Sequence, residues 1–243
     1  MSIERPQPIT LQVNQIIRER IRHGDYPAGA RMPSEGELAA ELGISRTTLR
    51  MAMTSLVNEG IIIRRQGDGT YVNRRALEIS THLQNFWSFS QLIEDGGHSS
   101  EVKMLSAFRR TVNEEESIAL EIDRGATVFV LERLFFADNV PVIYSINSLP
   151  ALLLTRDTSQ YNPQQSIYEF LREFADQEIT YSTSDINAAI PPKPVIQAMS
   201  WKGTRPLLRF LDLFYNKNNH PVVLGVNYYN DQFLGMRLVR ARG

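Results

Sequence analysis

The apolar positions change period along the 243 residues, and each change marks an element. From Thr10 to His23, Val13, Ile16, Ile17 and Ile21 recur at helical spacing while Arg18, Glu19, Arg20 and Arg22 take the opposite side, which predicts an amphipathic helix. Gly24 and Pro27 stop it, and the Pro27-Ala28-Gly29 turn leads to Ser34. Ser34 with Glu37 three residues on reads as a capping box. The helix it opens carries Leu38, Ala39 and Leu42 on one face and ends at Gly43, where a left-handed residue is cheap. Ser45 caps a third helix with Leu49, Met53, Leu56 and Val57 at helical spacing. After Asn58-Glu59-Gly60 the pattern becomes that of a hairpin. Ile61-Ile62-Ile63 is the outgoing strand, Arg64-Arg65-Gln66-Gly67-Asp68-Gly69 the tip and Thr70-Tyr71-Val72 the return. Two helices joined by a short Gly-containing turn, then a hairpin, define a winged helix-turn-helix.

Residues 74–80 show no clean period and read as a linker. The expected division is therefore a DNA-binding domain at 1–73 and a second domain at 81–243. In the second domain a short helix from Ser88 to Glu94 ends at Gly96-Gly97, and a strand follows from Glu101 to Thr111. Asn113 and Glu116 form another capping box for a helix through Ile118 and Leu120. Thr127 to Ala137 and Val140 to Leu149 form a hairpin turning at Asp138-Asn139. Asn162-Pro163 is expected to open a helix carrying Ile167, Tyr168, Phe170, Leu171 and Phe174, its aromatics being core. Strands at Ile179–Ala189, Pro206–Tyr215, Pro221–Tyr229 and Phe233–Val239 complete the pattern, with a short helix ending at Trp201 between the first two. Antiparallel pairs with short helices indicate an α+β domain.

The outward-facing side chains of the head carry its chemistry. In Ser45-Arg46-Thr47-Thr48-Leu49-Arg50 only Leu49 is needed inside. Arg46, Thr47 and Arg50 sit where a recognition helix meets base edges in the major groove. Arginine pairs bidentately with guanine, and threonine bonds a base or touches a thymine methyl. Ser34, Ser45 and Thr48 stand at helix N-termini, suited to phosphate. Arg64, Arg65, Gln66, Gly67 and Gly69 suit a wing lying along a phosphate backbone or minor groove. In isolation the Ser45–Arg50 string is equally an ordinary capped surface helix; its neighbours on both sides favour the DNA reading.

Charge sharpens this picture. The whole chain is at net −1, but residues 1–75 hold 11 arginines, no lysine and 8 acids, whereas the rest holds 15 basic residues against 19 acids. The basic end is the DNA end, and all-arginine composition favours forked recognition of phosphate and guanine. With no cysteine, neither a disulfide framework nor a thiolate metal site is possible. The polar start with Pro6 and Pro8 predicts no secretion signal, and no apolar run reaches the length of a membrane span. A soluble, cytoplasmic chain is expected. No phosphate loop, metalloprotease helix or nucleophile elbow is present, so no catalytic residue and no cofactor is predicted. His98 near Glu94 and Asp95 hints at a metal but is better explained as a loop histidine, so no metal is predicted.

The run from Gly24-Asp25-Tyr26-Pro27-Ala28-Gly29 through Pro33-Ser34-Glu35, Leu38-Ala39, Ser45-Arg46, Leu49-Arg50 and Glu59-Gly60 to Gly67-Asp68-Gly69-Thr70 resembles the GntR family of bacterial winged-helix regulators. One departure is Gly36, where many relatives carry a DNA-contacting arginine. Leu131-Glu132-Arg133-Leu134, Ala137-Asp138, Pro141, Leu149-Pro150 and Pro221 with Tyr228-Tyr229 resemble the HutC subfamily, whose effector domain, called UTRA, is similar in fold to chorismate lyase. The resemblance implies a homodimer on a pseudo-palindromic operator, acting not as an enzyme but as a repressor whose affinity a small metabolite controls. It also implies an effector site at Ser88, Phe89, Ser90, Arg133, Phe135, Ser145 and Tyr228. A second arginine of sugar-phosphate sensors falls here on Phe135, and two acidic positions fall on Ser145 and Val223. The expected effector is therefore less charged and more apolar than a phosphorylated amino sugar, with Arg133 as its main charged contact. Alternatively Phe135 and Val223 are ordinary sheet core. Two other readings stay open: a constitutive DNA binder whose second domain only dimerises, and a lyase-like enzyme fused to a DNA-binding head.

Overall fold

A computed structural model describes residues 8–74, 88–202 and 206–234, and the chain divides into an N-terminal and a C-terminal unit. The first contains α1 (Ile9–His23), α2 (Glu35–Glu41), α3 (Arg46–Asn58), β1 (Ile62–Arg65) and β2 (Gly69–Val72). Both expected caps form. Ser34 Oγ accepts from the Glu37 amide while Glu37 returns to the Ser34 amide, and Ser45 Oγ accepts from the Thr48 amide. Gly43 adopts φ +65°, which ends α2 in a turn that a side chain would strain. Leu38, Leu49, Met53 and Leu56 are fully buried with Ile17 and Ile62 in one apolar core. Burial of each large side chain there contributes about 1.5–3 kcal/mol.

The wing is longer in strand and shorter in tip than the sequence suggests. Arg64 and Arg65 belong to β1, with Arg65 opposite Gly69, because a tight turn at Gln66–Asp68 with Gly67 at φ +74° lets pairing run further out. The segment before α2 joins the same sheet: the Gly29 and Met32 amides donate to Val72 and Thr70 carbonyls, and the Val72 amide donates to Ala30.

The second unit contains α4 (Phe89–Asp95), β3 (Ser100–Thr111), α5 (Glu114–Ala119), β4 (Thr127–Ala137), β5 (Val140–Pro150), α6 (Ile167–Ala175), β6 (Ile179–Ala189), α7 (Lys193–Ala198), β7 (Leu207–Asn216) and β8 (Pro221–Tyr229). Its strands form one antiparallel sheet in the order β3-β4-β5-β8-β7-β6. Strand alternation sends Phe129, Leu131, Leu149, Val223 and Phe214 to one face, where they pack with Phe170, Leu171 and Phe174 of α6. The other face holds Leu134, Tyr144 and Tyr228 with Val195 of α7, and Val128, Val130 and Leu224 with Leu120 after α5.

Two expectations change here. The cap of α6 is Ser166, boxed with Glu169, because the Asn162 side chain is spent on a local turn with the Gln164 amide. At the expected closing strand, Phe233 and Leu234 form a turn after β8, and residues 235–239 lie outside the described residues. The linker lies outside them too, apart from exposed Arg74.

The capping box of α5 is also a tie to the sheet. Glu116 is buried, pairs bidentately with Arg110 at 2.6 and 2.7 Å, and accepts from Ser148 Oγ at 2.6 Å. Burial raises its carboxyl, but Arg110, Ser148 and the Asn113 amide together hold it below its ordinary value of 4.5. A depressed acid stabilises the fold above its unfolded value and loses that contribution as pH falls through its folded value. Glu116→Gln should therefore cost roughly 2–3 kcal/mol at neutral pH. The deficit relative to the parent should shrink as urea melts are taken below about pH 4.5, the ordinary value of this acid.

Candidate nucleic-acid interface and effector site

The N-terminal turn of α3, the start of α2 and the wing converge on one exposed surface. Arg46, Thr47 and Arg50 are exposed on α3, and Thr48 is half-buried with its hydroxyl 2.8 Å from Ser45 Oγ. Glu35, in the first turn of α2, joins them to the wing by accepting from Arg50 Nε at 3.1 Å and Arg64 Nη2 at 2.9 Å. That bridge fixes recognition helix and wing in one register, although exposed pairs of this kind stabilise by only about 0–1 kcal/mol. The Arg46 guanidinium lies over Gly36, so that a Cβ there would stand 3.1 Å from Nη2. The glycine that departs from the family pattern thus gives Arg46 its seat.

On the wing, Arg65 is held 4.2 Å above the Tyr71 ring, and the Tyr71 hydroxyl donates to Asp68 at 2.9 Å. Gly67, exposed Gln66 and Gly69 keep the tip narrow; Gly69, at φ +142°, leaves room for Arg31, whose Nε would be 2.8 Å from a Cβ. Between wing and α2 runs a groove of about 990 Å³ that includes Arg31, Ser34, Arg64, Arg65 and Gly69 in its lining. Arg31 was not singled out from the sequence, because only the pairing of residues 29–32 with β2 brings it to the wing. Arg65→Ala should weaken binding to all DNA sequences alike and lower the slope of log K against log salt by about one unit per wing contact. A titration across 50–200 mM salt checks it.

In the second unit, the sheet face under α6 changes character toward α4. Beyond the apolar row of Phe129, Leu149, Val223 and Phe214 come two polar rows. Leu131, Asn147, Gly225, Asp212 and Ser184 form one, and Arg133, Ser145, Asn227 and Phe210 the next. Above them Phe135 and Tyr229 meet Phe89 of α4 edge-to-face at 5.1 and 5.8 Å. A buried polar band thus lies between an apolar floor and an aromatic wall.

Arg133 is 2 % exposed. Its Nη1 donates to the Tyr161 hydroxyl at 2.9 Å and the Gln165 carbonyl at 2.7 Å, its Cζ lies 5.2 Å from the Phe135 centroid, and its Nε is buried without a partner. Among the described residues no carboxylate pairs with it, and burial pushes the guanidinium down, offset in part by Tyr161. Across the strand stands Ser145, fully buried and accepting from Asn147 Nδ2 at 2.9 Å. Asp212, also buried, accepts from Ser184 Oγ and from Asn227 Nδ2 at 2.6 Å; burial raises its carboxyl and those two donors lower it.

Of the residues expected at the effector site, Arg133, Phe135 and Ser145 share this face, with Phe89 against it. Tyr228 does not. It pairs with Tyr144 on the opposite face beside α7, because an offset of one residue reverses a strand side chain; Asn227 and Tyr229 face the band instead. Ser88 Oγ is occupied as the cap of α4, accepting from the Gln91 amide, and Ser90 is half-buried in its first turn. Val223 is ordinary core beneath α6. His98 turns away from Glu94 and Asp95 to Asp138 at 2.6 Å, a contact that with Ser99 draws the Asp138 carboxyl down to about 2. Among the described residues no group of three or more His, Cys, Asp or Glu is gathered for a metal. Asp212 and Asn227 were missed, although an aspartate between Phe210 and Phe214 at strand spacing is a legible sign of a polar group on an inward face.

A winged helix-turn-helix with an arginine-bearing recognition surface, carried with a separate sheet domain that buries an unpaired arginine, defines a DNA-binding regulator with a sensor domain. Comparison with known proteins agrees: residues 9–72 match "Bacterial regulatory proteins, gntR family" and residues 95–233 match "UTRA domain". The chain belongs to the GntR family of transcriptional regulators, in its UTRA-bearing branch. It is 31% identical over 204 residues to "Probable transcriptional regulator PhnF" of Escherichia coli (strain K12), covering 84% of this chain and 81% of that one. It is 29% identical over 172 residues to the "Histidine utilization repressor" of Pseudomonas putida, covering 71% and 68%. In fold it is similar to the crystal structure of YydK from Bacillus subtilis subsp. subtilis str. 168, with a TM-score of 0.73 at 17% identity over 98% of this chain and all of that one. The relatives are regulators of transcription, not enzymes. Among the described residues no helix is long and apolar enough to cross a membrane.

Proposed function

We propose that this protein is a cytoplasmic, dimeric repressor whose operator affinity is set by a small anionic metabolite bound on the polar band of the second domain. The observation that carries the reading is Arg133, a buried guanidinium with an unpartnered Nε and no carboxylate beside it among the described residues. A charge of this kind is costly unless something pairs with it, and an anionic ligand supplies the missing partner. The repressor role rests on relatives such as the histidine utilization repressor. The working division is 1–73 for DNA, 74–80 as linker and 81–243 for effector and dimerisation.

In this reading Arg46, Thr47 and Arg50 read bases, Ser34, Ser45 and Thr48 hold phosphate, and residues 64–69 follow the backbone or minor groove. Two heads related by a two-fold axis call for a pseudo-palindromic operator. Support for the dimer comes from β6, a long edge strand with Tyr181 and Ile186 exposed, since such edges favour pairing with another copy. Light scattering of the purified chain should give twice its mass. A thermal-shift screen against graded sugar phosphates, neutral sugars and organic acids tests the reading. A saturable rise with one anionic class is expected, together with a change in operator affinity at the same concentration. Ligand binding that leaves operator affinity unchanged would favour a second domain that only dimerises.

A further inference from the structure

The polar band has two poles, and only one of them was anticipated. Asp212 on β7 is a second buried ionisable group, and Asn227 on β8 leaves its Oδ1 buried without a partner. Arg133 and Asn227 stand in one cross-strand row with Ser145 between them, two strand spacings apart or about 10 Å from Cα to Cα. One pole offers an unpaired donor on a cation. The other offers an unpaired acceptor beside a carboxyl group. Beside them Phe89 of α4 meets Phe135 and Tyr229 edge-to-face, an aromatic wall on the same side of the sheet.

We propose that the effector is a zwitterionic amino carboxylate, its carboxylate on Arg133 and its ammonium on Asn227 and Asp212. This rests on the reading of Arg133 as the effector's anchor. A phosphate dianion asks for more than one cationic donor group, and among the described residues a single arginine faces the band, with Phe135 at the neighbouring position on the same face. A plain carboxylate would satisfy Arg133 but leave Asn227 Oδ1 orphaned, whereas an ammonium has three hydrogens for that acceptor and the adjoining carboxylate. Bidentate pairing of one carboxylate to one guanidinium matches the forked geometry of arginine.

The test uses the full-length protein in calorimetric titrations with the common α-amino acids and straight-chain ω-amino acids of four to six carbons. The unsubstituted carboxylate and the amine of each length, and glucosamine 6-phosphate, are run beside them. At least one amino carboxylate should bind tenfold or more tighter than its matched acid and its matched amine. Asp212→Asn should erase the advantage over the acid and Arg133→Gln the advantage over the amine, each with at least tenfold weaker binding. Asn227→Ala should weaken the same ligand and serves if Asp212→Asn does not fold; a cooperative ligand-free thermal melt reports that each variant is intact. Equal binding by the plain acid, tighter binding by the sugar phosphate, or silence of the whole amino-carboxylate series would overturn the proposal. The sugar-phosphate or plain-acid outcome would leave metabolite control standing. Binding without any effect on operator affinity would remove metabolite control and keep the two-pole site.

Discussion

Arg46→Ala should lower operator affinity more than any other single change in the head, by about 1–3 kcal/mol for each lost bidentate contact. The proposed symmetric dimer would lose two, so the total is roughly 2–6 kcal/mol, or about thirty-fold at its lower end. Arg46 is exposed at the first position of α3, and its guanidinium is seated over Gly36 rather than paired with an acid among the described residues. Arg50 differs, because Glu35 already holds its Nε. The loss for Arg46→Ala should appear as relaxed preference at one position per half-site, with the salt dependence little changed, since a base contact releases few counterions. Competition binding with single-position operator variants measures this. Unaltered base preference would place the recognition surface elsewhere.

Arg133→Met should abolish the response to effector while leaving the ligand-free fold as stable as before or more so. The usual cost of deleting a buried hydrogen-bonded residue is the orphaning of its partners. Here the partners already have each other: the Tyr161 hydroxyl also donates to the Gln165 carbonyl, at 3.2 Å. What is removed is a desolvated charge without a carboxylate, and methionine fills a similar volume in an irregular space. Replacing buried charge by apolar groups of like volume is often neutral or stabilising by about 1–4 kcal/mol. The melting temperature without ligand should hold or rise, and saturating ligand should no longer raise it. A large fall in the ligand-free melting temperature would make Arg133 a structural residue.

Local chemistry explains why so much of the head could be read from the chain. The capping box at Ser34, the cap at Ser45 and the left-handed Gly43 depend on residues within a few positions of one another. Glu35 bridging Arg50 and Arg64 spans 15 and 29 residues, and nothing in local pattern announces it. The sheet domain shows the same limit at finer scale. The strands β3 to β8 were legible to within a residue or two, although the strand expected from Phe233 begins as a turn; a site on a strand also depends on parity, and a shift of one moves a side chain through the sheet. Hence Tyr228, expected beside Arg133 and Ser145, lies on the opposite face of the sheet from them, and Asn227 and Tyr229 share theirs. Ser166 displaced Asn162 as a cap for a related reason: both are good caps by type, and only the chain's path decides which meets a helix.

The central claim is that a ligand on the polar band controls the grip of the head on DNA. The most direct measurement is fluorescence anisotropy of an operator selected from random DNA, titrated with the protein at zero and saturating concentrations of the compound that raises its melting temperature. The account predicts at least a tenfold change in operator Kd, absent in Arg133→Met, on a site made of two half-sites related by a two-fold axis. An operator Kd that stays the same at saturating ligand would contradict it.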